Sequence, residues 1–155
     1  MDLCQSHSSG EVIMERLVII AVLTAVLTPG LAPGSAKAQC LKYEPNKVSL
    51  SGVIVRETHP GPPNFSSTAE GDEPETIWVL KLERAICVLT ANDIDVEEQN
   101  QKEIQLILND KQYAQYRSLL GQKVTVTGML FHSVTGHHHK TLMLTARGIR
   151  KRSAT

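Results

Sequence analysis

Four histidines fall within eight residues of this chain, in the segment His132-Ser133-Val134-Thr135-Gly136-His137-His138-His139. Imidazole nitrogens are good ligands for zinc or copper, so the spacing of these rings decides whether they can hold an ion. A two-residue turn at Thr135-Gly136 would pair Val134 with His137, Ser133 with His138 and His132 with His139. Strand alternation then puts His137 and His139 on one face, and cross-strand pairing brings His132 to the same face. Three imidazoles would converge with a fourth position open. His59, or Asp72, Glu73 or Glu75 from a neighbouring loop, could add another ligand. A three- or four-residue turn breaks that register. A polar hairpin tip accounts for the same residues, and so does a pH-responsive patch, because each imidazole titrates near pH 6.5.

Carboxylates and aromatics offer less. The turn Gly71 to Thr76 is acidic but lacks the alternating ligands and closing bidentate Glu of an EF-hand. Loop ordering through Pro74 and capping by Asp72 is the simpler role. Pro60, Pro62 and Pro63 stiffen the preceding stretch. Trp78, Tyr113, Tyr116 and Phe131 are expected in the core, and aromatics at 4% of the chain are too sparse for a nucleic-acid stacking platform. The 16 Lys and Arg balance 16 Asp and Glu, so no long-range field draws the chain to nucleic acid or anionic lipid. No nucleophile elbow, phosphate loop, HExxH or Ser-His-Asp pattern is present, so an enzyme is the weaker expectation.

These residues need a scaffold. Val48 to Thr58 is β-branched and alternating, with Gly52 placed where a strand could bend. A long loop rich in Pro, Gly and Ser runs from His59 to Thr76. Ile77 to Leu82 is a second strand, with Trp78, Leu80 and Leu82 on one face. Ala91 to Gln101 reads as a polar loop and Glu103 to Leu108 as a third strand. Lys111 to Leu120 has the apolar spacing of a helix, with Gly121 at the capping position. Lys123 to His132 and Thr141 to Ile149 are the last two strands. The order β-β-β-α-β-β predicts a mostly β, OB-fold-like barrel of five strands, partly open, with one helix. An α+β five-stranded antiparallel sheet is the alternative. In an OB-fold, ligands meet the second and third strands and the loops joining strands one to two and four to five. Those loops hold the two most unusual segments, which nominates His59, Asn64, Asp72, Glu73, Glu75 and Trp78 as ligand-binding residues. The metal candidates are His132, His137 and His139.

The same segments carry a resemblance. Cys40-Leu41-Lys42-Tyr43-Glu44-Pro45, Pro60-Gly61-Pro62-Pro63-Asn64, Gly71-Asp72-Glu73-Pro74-Glu75-Thr76, Ile86-Cys87, Val124-Thr125-Val126-Thr127-Gly128 and Thr135-Gly136-His137-His138-His139 occur in that order. Through them the chain resembles a family of small exported bacterial proteins known only as a domain of unknown function, number 4431 of its series. The resemblance implies export and a single domain, and it brings no activity with it.

Export is also expected from residues 14–38. Met14-Glu15-Arg16 precedes an apolar run from Leu17 to Leu27, and Ala36-Lys37-Ala38 has the small-x-small form of a signal-peptidase site. The run is shorter than the ~20 residues a membrane span needs. Residues 1–13 read as an extension upstream of a true start at Met14, leaving 39–155 as one OB-like domain in the periplasm or secreted, with no membrane span. Gln39 before Cys40 is wrong for a lipoprotein box. Of three cysteines only Cys40 and Cys87 survive cleavage, and in an oxidising compartment they are expected to form a disulfide. Three functions compete: a non-catalytic binding module for a small ligand, glycan or protein using loops 59–76 and 132–140, an envelope zinc or copper protein, and a metal-assisted hydrolase.

Overall fold

In the computed structural model, residues 40–90 and 96–153 are described. The expected signal peptide at 14–38 and the extension before it lie outside the described residues. The strands are β1 (Leu41–Lys42), β2 (Lys47–Pro60), β3 (Pro74–Leu89), β4 (Glu98–Ile107), β5 (Lys123–His132) and β6 (Leu142–Lys151), with one α-helix, α1 (Asp110–Tyr116). The five long strands pair in the sequence β2–β3–β4–β6–β5 and back to β2, so the sheet returns on itself as a partly closed ring. Every pair in the ring is antiparallel except β4–β6. This is the OB-like arrangement, and the parallel pair rules out the plain antiparallel sheet.

β2 serves both sides of the ring. Residues 47–53 pair with β5 and residues 52–60 with β3, so the strand changes neighbours at Gly52. A Cβ at Gly52 would run into the Lys81 carbonyl, which is why the crossover needs glycine. Inside the ring, alternate residues fill one core: Val48, Leu50 and Ile54 of β2, Trp78, Leu80 and Val88 of β3, Ile104 and Leu106 of β4, Val124, Val126 and Leu130 of β5, with Leu142, Leu144, Ala146 and Ile149 of β6.

Two elements differ from the sequence reading. β3 runs on to Leu89, well past Leu82, because a register shift between Lys81 and Ile86 carries the chain through the polar residues Glu83 and Arg84. β4 starts at Glu98, so part of the expected 91–101 loop is strand, with Gln99, Asn100 and Lys102 exposed. The helix begins where Asn109 caps it. The Asn109 side chain accepts from the Gln112 N–H at 3.0 Å and Gln112 Oε1 accepts from the Asn109 N–H at 2.9 Å. The α-helix is shorter than expected, and its last turn tightens to 3₁₀ at Arg117–Leu119. Gly121 is left-handed (φ 74°), but its N–H goes to the Ile54 carbonyl at 2.8 Å and ties the helix end to β2.

The other end of the ring is closed by the N-terminal segment. Cys40 and Cys87 form the expected disulfide, which holds β1 parallel to the end of β3. Tyr43 is buried and donates its hydroxyl to the Val96 carbonyl at 2.8 Å.

Candidate binding site at the loop junction

Burial on both faces of a strand locates the site. Residues 77–80 of β3, 104–106 of β4 and 142–144 of β6 are buried without alternation. Their inner side chains belong to the core, so Val79, Gln105 and Met143 lie on the outer face, where a lone barrel strand would meet water. The loop 133–141 is laid across that face.

Gln105 is the anchor, at 4% exposure. Its Nε2 donates to the His137 carbonyl and its Oε1 accepts from the His139 N–H, each at 2.8 Å. One buried amide therefore clamps the backbone on both sides of His138 and leaves none of these groups unsatisfied. Next to it, Lys140 reaches Glu57 Oε2 at 2.8 Å and Glu103 Oε2 at 2.6 Å, while Lys81 lies 3.2 Å from a carboxylate oxygen of each. Two cations and two carboxylates alternate around this square. The Lys140 hydrogen bond does most to hold Glu57 at about 2, against the opposing effect of burial, with Lys81 adding to it. Glu103 is lowered by the same lysines.

The loop 61–73 is folded around Asp72. This carboxylate, buried at 4% exposure, accepts from the N–H groups of Asn64 (2.8 Å), Ser66 (2.7 Å) and Ser67 (2.8 Å), and from the Ser66 hydroxyl (3.3 Å). The Ser66 and Ser67 N–H groups hold its pKa down to about 2. The Gly61 N–H to Glu73 carbonyl bond (2.7 Å) and the Glu73 N–H to Pro62 carbonyl bond (2.8 Å) close the loop base. With its lone pairs so committed, Asp72 is a loop organiser rather than a group facing a ligand.

The two loops meet at Glu75, the first turnward side chain of β3. Its carboxylate lies 3.0 Å from His137 Nδ1 and 3.0 Å from His139 Nε2. Burial raises its pKa, but the hydrogen bonds from His139 and His137 outweigh that and leave it below the ordinary value. Glu75 is therefore ionised at neutral pH, so the ring nitrogens facing it, His137 Nδ1 and His139 Nε2, donate to its carboxylate, and His137 stays exposed beside it. His59 stacks on His139 with centroids 4.6 Å apart and 11° between planes, and its Nε2 lies 3.3 Å from Glu57. Phe65 meets His137 edge-on at 5.0 Å. A Cβ at Gly136 would press on the Phe65 ring at 3.0 Å, so glycine there lets the loops touch. Phe65 itself sits in the left-handed region (φ 56°), a conformation costing about 1 kcal/mol and typical of positions held for a purpose. His138 turns the other way: its Nδ1 accepts from the Val134 N–H at 2.9 Å and its ring packs edge-on to Phe131. Burial first, then His137 and His139, lower its pKa and favour the neutral form that bond requires.

Of the residues expected to bind a ligand, His59 and Glu75 are brought together with His137 and His139. Asn64 and Glu73 sit exposed on the adjoining loop. Trp78 faces the core as its strand alternation predicts, edge-on to Tyr113 at 5.2 Å and on the opposite side of β3 from Glu75, so it takes no part in the loop junction. One expectation is corrected. The turn at 135–136 is not a two-residue hairpin: His132 pairs with Leu142 instead of His139, and the connection is a nine-residue loop. His132 consequently points into the ring, where its Nδ1 lies 3.1 Å from Glu98 Oε1 as an ion contact without good hydrogen-bond alignment. Among the described residues no three His, Cys, Asp or Glu side chains gather closely enough to form a metal-binding group. Sequence reasoning missed Gln105, Glu57, Lys81, Glu103, Lys140 and Phe65. The unbroken apolar runs Ile77 to Leu80 and Leu142 to Leu144 were the available signal that something covers the outer face.

The carboxylates set an acid limit. Asp72 and Glu57 have folded pKa values of about 2 against ordinary values of 3.8 and 4.5. Their contribution to stability is full above the ordinary values and is lost as pH falls through the folded ones. The urea midpoint is expected to drop steeply between pH 4.5 and pH 2. Asp72→Asn should lower the neutral-pH midpoint and flatten the acid limb, and an unchanged limb in that variant would contradict the assignment.

No curated protein matches the chain. A protein-family model, Domain of unknown function (DUF4431), matches residues 103–148. The span runs from Glu103 through Gln105, α1 and β5 to the histidine loop and most of β6, so it includes one half of the loop junction. The family whose model matches residues 103–148 is the same one that the chain's motifs resemble.

Proposed function

We propose that the protein is an exported, non-catalytic OB-like binding module whose ligand surface is the junction of loops 61–73 and 133–141 around Glu75. One observation carries this reading. Two loops from distant parts of the chain are each folded by a dedicated buried polar group, Asp72 or Gln105, and are then joined through Glu75, while His137, Asn64 and Glu73 stay exposed. Preorganisation of that kind lowers the ordering cost of binding. The junction supplies aromatic edges, an exposed imidazole, an amide and carboxylates, which suit a small polar ligand, a glycan or a protein segment. Export is supported by the disulfide, which belongs in an oxidising compartment, and by the signal-like segment at 14–38. Among the described residues no helix is long and apolar enough to cross a membrane.

A second reading, zinc or copper on the histidine loop, would require Glu75, His137 and His139 to rearrange, because they now bond to one another and no three such side chains gather closely enough to hold an ion among the described residues. Hydrolysis through such an ion would need a further base, and Glu75 would already be a ligand.

The test is binding by residues 39–155 beside a Glu75→Ala/His137→Ala variant. Zinc and copper titration comes first, followed by a glycan array and capture from envelope extracts. The binding-module reading expects a retained partner that the variant loses about tenfold or more, with no stoichiometric metal. Near one equivalent of metal at micromolar affinity, lost in His137→Ala/His139→Ala but kept in His132→Ala, would favour the second reading. Equal retention by wild type and variant would end the first.

A further inference from the structure

We propose a second binding site, independent of the loop junction, that takes a small aromatic carboxylate between α1 and the β2–β3 pair. A cavity of about 320 Å³ opens there, lined by Arg56, Trp78, Tyr113, Ala114, Arg117 and Leu120. That volume is at the lower end for ligand pockets and admits one substituted ring. Arg56 and Trp78 are paired across β2 and β3, so they share a face, the opposite one from Glu57 and Glu75.

The chemistry of the lining selects the ligand. Arg56 and Arg117 are both exposed at the rim, and neither has a carboxylate within ion-pair distance among the described residues. Arg152, by contrast, reaches Glu83 at 2.7 Å, and Lys81 and Lys140 each hold two carboxylates. Two unneutralised guanidiniums on one small opening favour an anion, and their planar forks match a carboxylate bidentately. The wall below them is aromatic: Trp78 at 6% exposure with the Tyr113 ring set edge-on at 83°. An aryl ring fits such a wall by edge or offset packing. The Tyr113 hydroxyl is kept protonated, first by burial and then by the negative charges of Glu75 and Asp110, so it remains a donor. No hydrogen bond joins the Trp78 indole N–H to any described residue, which adds a second available donor at the wall. An apolar ligand would leave these donors and both cations unused, and a bare inorganic anion would leave the aromatic wall unused.

Trp78 is the one tryptophan in the chain, so the site carries its own reporter. Residues 39–155 are titrated with benzoate, benzyl alcohol and acetate, following Trp78 fluorescence and its indole N–H resonance. Benzoate is expected to give saturable shifts at millimolar concentration or below, with acetate and benzyl alcohol each weaker by about tenfold or more. Arg56→Gln and Arg117→Gln should each weaken benzoate about tenfold at unchanged Tm, both side chains being exposed. Tyr113→Phe keeps the aromatic wall and removes the hydroxyl donor, and should weaken benzoate. Absence of saturation with benzoate, an equal response to benzyl alcohol, or indifference to both arginine variants at unchanged Tm would overturn the proposal. Binding by the Glu75→Ala/His137→Ala variant separates this site from the loop junction: loss of one leaves the other to be read alone.

Discussion

Replacing Cys40 and Cys87 together by serine is expected to lower the unfolding free energy by about 4 kcal/mol, roughly three decades in the folding equilibrium. The two cysteines are 47 residues apart, and the bond between them closes a loop containing β1, β2 and most of β3. The cost of bringing its ends together is removed from the unfolded chain by the crosslink and returns when the crosslink is lost. Native contacts add to this at the same place. β1 has only two residues, Leu41 and Lys42, pairing with Val88 and Leu89, too few to stay docked alone. Its release would uncover Tyr43 and Val88, both buried. Urea unfolding of the double variant beside the oxidised protein at pH 7 measures the difference, and a loss below about 1 kcal/mol would show that the closure matters little.

Gly128→Ala is expected to cost about 3 kcal/mol, the upper end of ordinary overpacking. Gly128 lies on the inner face of β5 at a register shift with β6. An added methyl would strike the Thr145 carbonyl oxygen, and it would also lie 3.1 Å from Leu144 Cδ1. A carbonyl inside a ladder cannot turn aside as a side chain can, so the β5–β6 pairing must part there. Gly148→Ala is the control, because its Cβ meets nothing nearer than Thr127 Oγ1 at 3.5 Å. Gly136→Ala differs again: it pushes on the Phe65 ring in an exposed loop and should disturb ligand binding more than Tm. Thermal melts of the three variants, with Gly128→Ala far below the others, give the expected ranking. Equal melts for Gly128→Ala and Gly148→Ala would contradict it.

The strand pattern was legible because alternation is local. Val124, Val126, Gly128 and Leu130 face the core as their spacing predicts, and the disulfide follows from two surviving cysteines. The lengths of β3 and β4 were less legible, since Glu83, Arg84, Gln99 and Asn100 look like loop by composition. They remain in strands because a bulge and backbone pairing tolerate polar residues whose side chains reach water.

Glu75, His59, His137 and His139 were singled out from their types, but the grouping was a tertiary matter. A nine-residue loop in place of a two-residue turn moves the partner of His132 from His139 to Leu142, and this sends His132 to Glu98 instead. Nothing local in the sequence sets that register. It is decided by Gln105 and the lysine–glutamate square, whose members come from β2, β3, β4 and the loop and meet only when the ring closes. Element order, the OB-like class, the disulfide and the two loops were thus determined by the chain's own pattern, since each rests on neighbours in sequence or on composition. Which carboxylate joins the loops and which histidine is left out were decided by the tertiary structure, because those contacts depend on the pairing of residues more than 30 positions apart, as in His137 with Glu75 across 62.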